Sequence, residues 1–210
     1  MRRYIADLHF DHESMNTRMD RRGFPSVEEM NEYMIRQWNS TVNRNDDVVI
    51  LGDFIWSGDP KRAKELLLRL KGKKIMILGN HDRAIRNKEF DRTLFRDITD
   101  YKEMSDNGRR VILCHYPVLY YNHQYHTKDG NPKTYMLCGH IHDTLDSRSL
   151  DRHILEDRER AVRRPDENVA EQEFRIPCNI INAFCMYSDY VPLTLDEWIR
   201  ITEERLNKTF

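Results

Sequence analysis

Five short apolar runs punctuate the chain, and each stops at a polar cluster. Tyr4-Ile5-Ala6 leads into Asp7-Leu8-His9, and Val48-Val49-Ile50-Leu51 into Gly52-Asp53. Ile75-Met76-Ile77-Leu78 leads into Gly79-Asn80-His81-Asp82, and Val111-Ile112-Leu113-Cys114 into His115. Tyr135-Met136-Leu137-Cys138 leads into Gly139-His140-Ile141-His142. Unbroken runs of this length, rich in Val and Ile, predict strands buried on both faces.

Helical spacing fills the intervals. Ser26 with Glu29 has the form of a capping box, followed by Val27, Met30, Met34 and Trp38 on one face. Asp59-Pro60 opens a second helix carrying Ala63, Leu66, Leu67 and Leu70, with Gly72 just past its end. Thr194 with Glu197 opens a last helix through Trp198, Ile201 and Leu206. Strands alternate with helices in the first part and strands dominate later, which predicts an α/β (α+β) fold.

The segment from 143 to 175 breaks this pattern. It holds 10 acidic and 7 basic residues out of 33, with few apolar anchors, and is expected to be a charged insertion, a solvated helical or mobile excursion, with a lid or a partner-binding role as the alternative. Because both flanks look like core, residues 1–210 are expected to form a single domain. A chain of 210 residues is long enough to bury about 70% of its unfolded surface.

Charge and composition narrow the function. Lys and Arg number 34 against 35 Asp and Glu, so nothing favours a broad nucleic-acid-tracking surface. No stretch approaches 18 apolar residues, and the basic start meets Asp7 and His9 before any apolar core forms. Neither a membrane span nor a signal peptide is expected, and the cytoplasm is the expected compartment. The four cysteines form no C-x-x-C, and three lie in apolar runs, as small buried thiols do. Phosphate-binding loops of the GxxxxGK[ST] type, GxGxxG and GxSxG are all missing.

The polar clusters at the ends of the apolar runs carry the chemistry. Strands of one sheet bring such ends to a common edge. The side chains gathered there are carboxylates, imidazoles and one amide, a donor set for divalent transition metals and not for a thiolate site. Gly-Asp alone is uninformative and Asp-x-His is weak, but the ordered set is distinctive.

That ordered set, D-x-H, G-D, G-N-H-D, H and G-H-x-H, resembles the calcineurin-like binuclear metallophosphoesterases. Asn182 and the run Tyr190-Val191-Pro192-Leu193-Thr194-Leu195-Asp196-Glu197 resemble the ending of small bacterial and phage members. The resemblance implies a four-layered αββα sandwich with two mixed sheets. It also implies two divalent ions, one held by Asp7, His9 and His142, the other by Asn80, His115 and His140, with Asp53 between them. Manganese is the first expectation, and iron, zinc, nickel or cobalt suit the same donors. A hydroxide bridging the ions would attack phosphorus, with His81 as proton donor to the leaving oxygen and Asp82 orienting its ring.

Several neighbours stay open at this level. His12 either reaches the metal edge or substrate, or does not; Asp11 beside it is equally undecided. The loop with Tyr120, Tyr121, Asn122, His123, Tyr125 and His126 either lines a substrate pocket or packs on the body of the protein. Arg83 and Arg86 either meet a phosphate or face solvent. The expected activity is a phosphodiesterase on small nucleotide-like substrates, with a phosphomonoesterase or nuclease as alternatives and a non-catalytic scaffold as a remoter one. The oligomeric state is not legible.

Overall fold

A computed structural model describes residues 1–166, 169–175 and 177–208. The first part runs β1 (Arg2–Ile5), α1 (Glu13–Thr17), α2 (Val27–Thr41), β2 (Asp47–Leu51), α3 (Pro60–Arg69), β3 (Lys73–Ile77), α4 (Arg83–Arg86) and β4 (Phe95–Thr99). Then follow β5 (Tyr101–Asp106), β6 (Arg109–Cys114), the short β7 (Thr127–Lys128) and β8 (Asn131–Pro132), β9 (Thr134–Cys138) and α5 (Leu145–Glu159). The chain closes with β10 (Ala161–Asp166), β11 (Val169–Arg175), β12 (Ile180–Asn182) and α6 (Leu195–Leu206).

Two four-stranded sheets form the centre, in the orders β1-β2-β3-β4 and β12-β9-β6-β5. All pairings in the first sheet are parallel, so one of the two sheets expected to be mixed is not. In the second, only β5 runs antiparallel to its neighbour. The sheets meet edge to edge where Ala6 N–H donates to the Ala183 carbonyl (2.9 Å) and Cys185 N–H to the Ala6 carbonyl (3.1 Å).

Strand alternation then sorts the apolar runs into three cores. Val48 and Ile50 of β2 face α2 and α3, joined by Met30, Met34, Trp38, Ala63 and Leu66. Val49 and Leu51 point the other way and pack between the sheets with Val111, Leu113, Leu137, Ile181 and Trp198. Ile112, Met136 and Ile180 face outward from the second sheet onto Leu150, Ile154 and Leu206. Three cores between successive layers make an αββα sandwich.

The predicted helices form where their caps lie. Ser26 accepts from Glu29 N–H, Asp59 caps α3 with Pro60 in its first turn, and Thr194 with Glu197 makes a reciprocal capping box. Of the strands that the apolar pattern does not reveal, β4 and β5 are edges, half exposed and carrying Arg96, Asp97, Lys102 and Glu103. Charge on an edge strand blocks unwanted pairing and hides it from a search for apolar runs.

The segment from 143 to 175 is helical in part, as expected, but it is docked on the core and not a solvated excursion. Its first half is α5, whose Leu150 and Ile154 are buried in the outer core, and its second half is the antiparallel pair β10–β11. Residues 167 and 168 lie outside the described residues. Two leucine or isoleucine anchors at i,i+4 are enough to dock a helix whose remaining surface is charged.

Ile154→Ala is expected to cost about 2–5 kcal/mol, read as a lower urea midpoint at unchanged slope. A change below about 0.5 kcal/mol, the range of ordinary surface substitutions, would mean that α5 does not belong to the layered core.

Candidate metal centre

Register places the motifs. Ile5 pairs with Ile50, and Leu51 with Ile77, so Asp7, Gly52-Asp53 and Gly79-Asn80 leave the first sheet at one end. In the second sheet Leu113 pairs with Leu137 and Cys138 with Asn182, which puts His115 and Gly139-His140 at the matching end. Five of the predicted ligands, Asp7, His9, Asp53, His140 and His142, adopt positive φ between 45° and 72°. Such backbone costs on the order of 1–3 kcal/mol per residue and clusters at functional sites. The glycines before the motifs supply room more than flexibility. A methyl group on Gly52 would overlap the His115 ring, one on Gly79 the Asp53 carboxylate, and one on Gly139 the Asp7 carboxylate.

The side chains converge tightly. His9 Nε2 lies 3.3 Å from His142 Nε2 and 3.4 Å from Asp53 Oδ2. The same Asp53 oxygen lies 3.5 Å from His115 Nε2. Asn80 Oδ1 lies 3.0 Å from both His115 Nε2 and His140 Nδ1. Asp7 accepts from the His140 N–H through both oxygens, at 3.0 and 3.1 Å. Asp7, His9, Asp53, His115 and His142 are buried, while Asn80 and His140 stand exposed at the rim. All seven ligand positions read from the sequence are thus brought together.

Ring orientation follows from the partners. His115 Nδ1 faces the Leu51 carbonyl at 2.9 Å, which has no proton to give, so Nδ1–H donates and a neutral ring keeps its lone pair on Nε2. That lone pair points at Asn80 Oδ1 and Asp53 Oδ2, both acceptors. His142 Nδ1 faces the Asp20 carboxylate at 2.8 Å, which likewise turns its Nε2 lone pair toward His9. Acceptors facing acceptors call for a cation.

The electrostatics agree. Burial, reinforced by the charges of nearby imidazoles and Arg22, holds His9 well below the ordinary imidazole range. Burial also lowers His115 and His140, so these rings are neutral and able to ligate at neutral pH. For His142, burial pulls downward, but the Asp20 hydrogen bond and the Asp7 charge outweigh it and the net shift is upward. Burial, with the Asp53 and Asp20 charges adding to it, pushes the Asp7 carboxyl up to about 7. Among the described residues no lysine or arginine pairs with its carboxylate: Arg22 directs its donors to the Asp20 carboxylate and the Asp7 and Leu8 carbonyls. The triads Asp7-His9-His142 and Asp7-Asp53-His115 each hold their donor atoms within 4.8 Å, so the residues present fit divalent metal.

Asp82 does something other than expected. Its Oδ2 accepts from the N–H groups of Asp53 (2.9 Å) and Gly79 (2.6 Å), and its Oδ1 from that of Phe54 (2.9 Å). Those hydrogen bonds tie the loop after β2 to the loop after β3, and none goes to the His81 ring. His81 is anchored by its backbone N–H on Asp53 Oδ1 at 2.9 Å. Adjacent residues point apart, and Asp82 took the buried side.

The open neighbours are also decided. His12 is buried, 3.5 Å from His9 through the Nδ1 atoms, and stacked on Trp56 with ring centroids 3.9 Å apart. Asp11 pairs with Arg62 and Asn31, away from the ligands. Arg83 lies over Trp56, and Arg86 pairs with Asp100. Tyr121 of the aromatic loop is buried in the outer core, where its hydroxyl accepts from Asn179 N–H. That loop does not line the open cavity of about 360 Å³ bordered by His9, Asp53, Asn80, His81, His140 and His142. The aromatic neighbours are instead Trp56, 5.0 Å from His81, and Tyr116, 4.6 Å from His140. Asp20 and Arg22, which orient His142, carry no sequence motif and were not foreseen.

A layered αββα sandwich with Asp and His donors gathered at its strand ends defines a class of metal-dependent hydrolases. Residues 4–176 match the calcineurin-like phosphoesterases, and the chain belongs to that family. Membership and the clustered donors make it a metal-dependent phosphoesterase. An uncharacterized protein of Methanocaldococcus jannaschii is 28% identical over 201 residues, 95% of this chain and 90% of its own length. A gene 66 protein of a Mycobacterium phage is 29% identical over 130 residues, 55% of this chain and 63% of its own. In fold, a crystal structure of a protein of unknown function from Aquifex aeolicus is similar at a TM-score of 0.60 and 22% identity, covering 94% of this chain and 96% of that one.

Asp82→Ala should leave three buried N–H groups without acceptors, at about 1–3 kcal/mol each, and weaken metal binding by releasing Asp53. Unchanged stability in a denaturant titration would contradict that role. In chelator-treated protein, the melting-temperature difference between Asp7→Asn and wild type should widen as pH rises from about 4 to about 7. The folded carboxyl, held up at about 7, keeps a proton that the unfolded chain sheds near 3.8, so wild-type stability falls over that window. A difference that ignores pH would refute the charge imbalance.

Proposed function

We propose that this chain hydrolyses phosphodiesters of small nucleotide-like compounds with two divalent ions, manganese first among them. The observation that carries the reading is Asp53 Oδ2, set between His9 Nε2 at 3.4 Å and His115 Nε2 at 3.5 Å. One carboxylate shared by two donor sets suits a pair of ions about 3.5–4 Å apart. Asp7, His9 and His142 would hold one, and Asn80, His115 and His140 the other. Bound there, the ions would lower the pKa of water and offset charge on the phosphate oxygens.

The chain supplies the rest. His81 sits on the rim, its ring 5.6 Å from that of His9, and suits proton donation to the leaving oxygen. Asp82 acts through backbone, holding Asp53 and Gly79 in place. Trp56 and Tyr116, both exposed, offer aromatic surface beside His81 and His140, which favours an aryl or nucleobase substituent and hence a diester. A charge of −1 disfavours a nuclease that tracks long polyanions. The free cysteines, Cys114, Cys138, Cys178 and Cys185, support a reducing compartment such as the cytoplasm. Among the described residues no helix is long and apolar enough to cross a membrane.

The test is hydrolysis of bis(p-nitrophenyl) phosphate, p-nitrophenyl phosphate and a single-stranded oligonucleotide by metal-stripped protein reloaded with manganese. Diester cleavage at two ions per chain, abolished in Asp53→Ala, is the expected result. Faster monoester or oligonucleotide turnover would replace the substrate assignment, and metal binding without turnover would favour a scaffold. His81→Ala should lose about 10²–10⁴-fold on an alkyl diester, the usual range for a general acid. It should lose far less on a nitrophenyl ester, whose leaving group departs without a proton. Equal losses would remove His81 from that role.

A further inference from the structure

Outside the catalytic rim a second group of donors comes together beneath the hairpin. His153 and Asp157 lie at i,i+4 on one face of α5, with His153 Nε2 3.5 Å from Asp157 Oδ2. Cys178 arrives on the chain between β11 and β12. A ring nitrogen, a carboxylate oxygen and the thiol sulfur of these three residues all lie within 4.8 Å of one another.

Their environment gives a second, independent signal. Asp157 and Cys178 are wholly buried, at 0% exposure. His153 Nε2 and both Asp157 oxygens are buried without a hydrogen-bond partner. A buried carboxylate in that condition is costly and rare. Arg160 forms an ion pair with Asp157 Oδ1 at 3.2 Å, while Oδ2 faces the His153 ring at 3.5 Å with no hydrogen-bond donor. The catalytic reading uses none of these residues.

We propose that His153, Asp157 and Cys178 form a zinc site that fastens the end of α5 to the chain returning from the β10–β11 hairpin. Imidazole with thiolate selects a borderline-soft ion, whereas magnesium and manganese prefer oxygen. A tetrahedral zinc with bonds of about 2.0–2.3 Å holds its donors about 3.3–3.8 Å apart, so the His153–Asp157 pair is already at the right separation. Cys178 has only to close in. Carboxylate and thiolate together balance the charge of the ion, and the thiol proton leaves to solvent on binding. Burial and the Asp157 charge otherwise keep that thiol protonated, up at about 11. The segment is pre-aligned by Arg158, which donates to the Cys178 carbonyl at 2.8 Å and grips Glu203 through both oxygens. The fourth position opens past His153, whose side chain is 24% exposed, and suits a water molecule.

Cobalt substitution separates this site from the catalytic one, because a thiolate ligand gives cobalt an intense near-ultraviolet charge-transfer band that nitrogen and oxygen donors do not. Metal-stripped full-length protein is titrated with cobalt, and zinc per chain is counted by mass spectrometry after dialysis. The expected result is a thiolate band in wild type and in Asp53→Ala, lost in Cys178→Ser and His153→Ala along with one zinc per chain. His153→Ala changes a side chain that is 24% exposed and should keep the native circular dichroism, and with that spectrum native, loss of the band there is not misfolding. No band in wild type at saturating cobalt, or a band that survives in Cys178→Ser, overturns the proposal. Either outcome leaves the catalytic reading untouched.

Discussion

Two buried carboxylates at one end of an apolar sandwich set the terms for the rest of the molecule. Asp7 and Asp53 cannot leave the interior, because β1 and β2 run straight into them from strands packed on both faces. Without a cation the pair repels itself in a medium where water screens little. The surroundings counter this with neutral imidazoles, oriented backbone N–H groups and loops held in left-handed conformations. Stability is given up locally to keep charge and lone pairs aimed at a common point, and the three cores around the sheets supply what is lost.

Rigidity of the centre comes from the second ring of contacts. Asp20 and Arg22 fix one imidazole and two carbonyls, while the Leu51 carbonyl fixes another imidazole. Asp82 joins two loops through its carboxylate, which accepts from their backbone N–H groups. Partners of this kind raise ligand basicity and set ring orientation. Their effect on chemistry is therefore indirect, and His81, Asn80 and His140 are the residues that border the open cavity.

The same balance recurs away from the rim. Asp157 is a carboxylate carried inward by α5 and left short of donors, much as Asp7 is. In both places an apolar framework encloses more negative charge than its own hydrogen bonds satisfy. A hairpin entered from α5 and left toward β12 gains from a fixed point at its base, which is the physical reason for the metal proposed there.

How much of this the chain's own order of residues determined can be traced element by element. The five apolar runs and three capped helices were legible because strand burial and helix capping act over a few neighbouring residues. The convergence of the seven candidate donors was legible because each follows such a run, and a sheet sends run ends to one place. The edge strands β4 and β5, the docking of α5 by Leu150 and Ile154, and the partnership of Asp20 and Arg22 with His142 were not. Nor was the inward turn of Asp82, to which the resemblance gives the task of orienting the His81 ring. Those features depend on which surfaces meet once the layers stack. Local pattern fixes what a segment is, and only tertiary packing decides what its side chains touch.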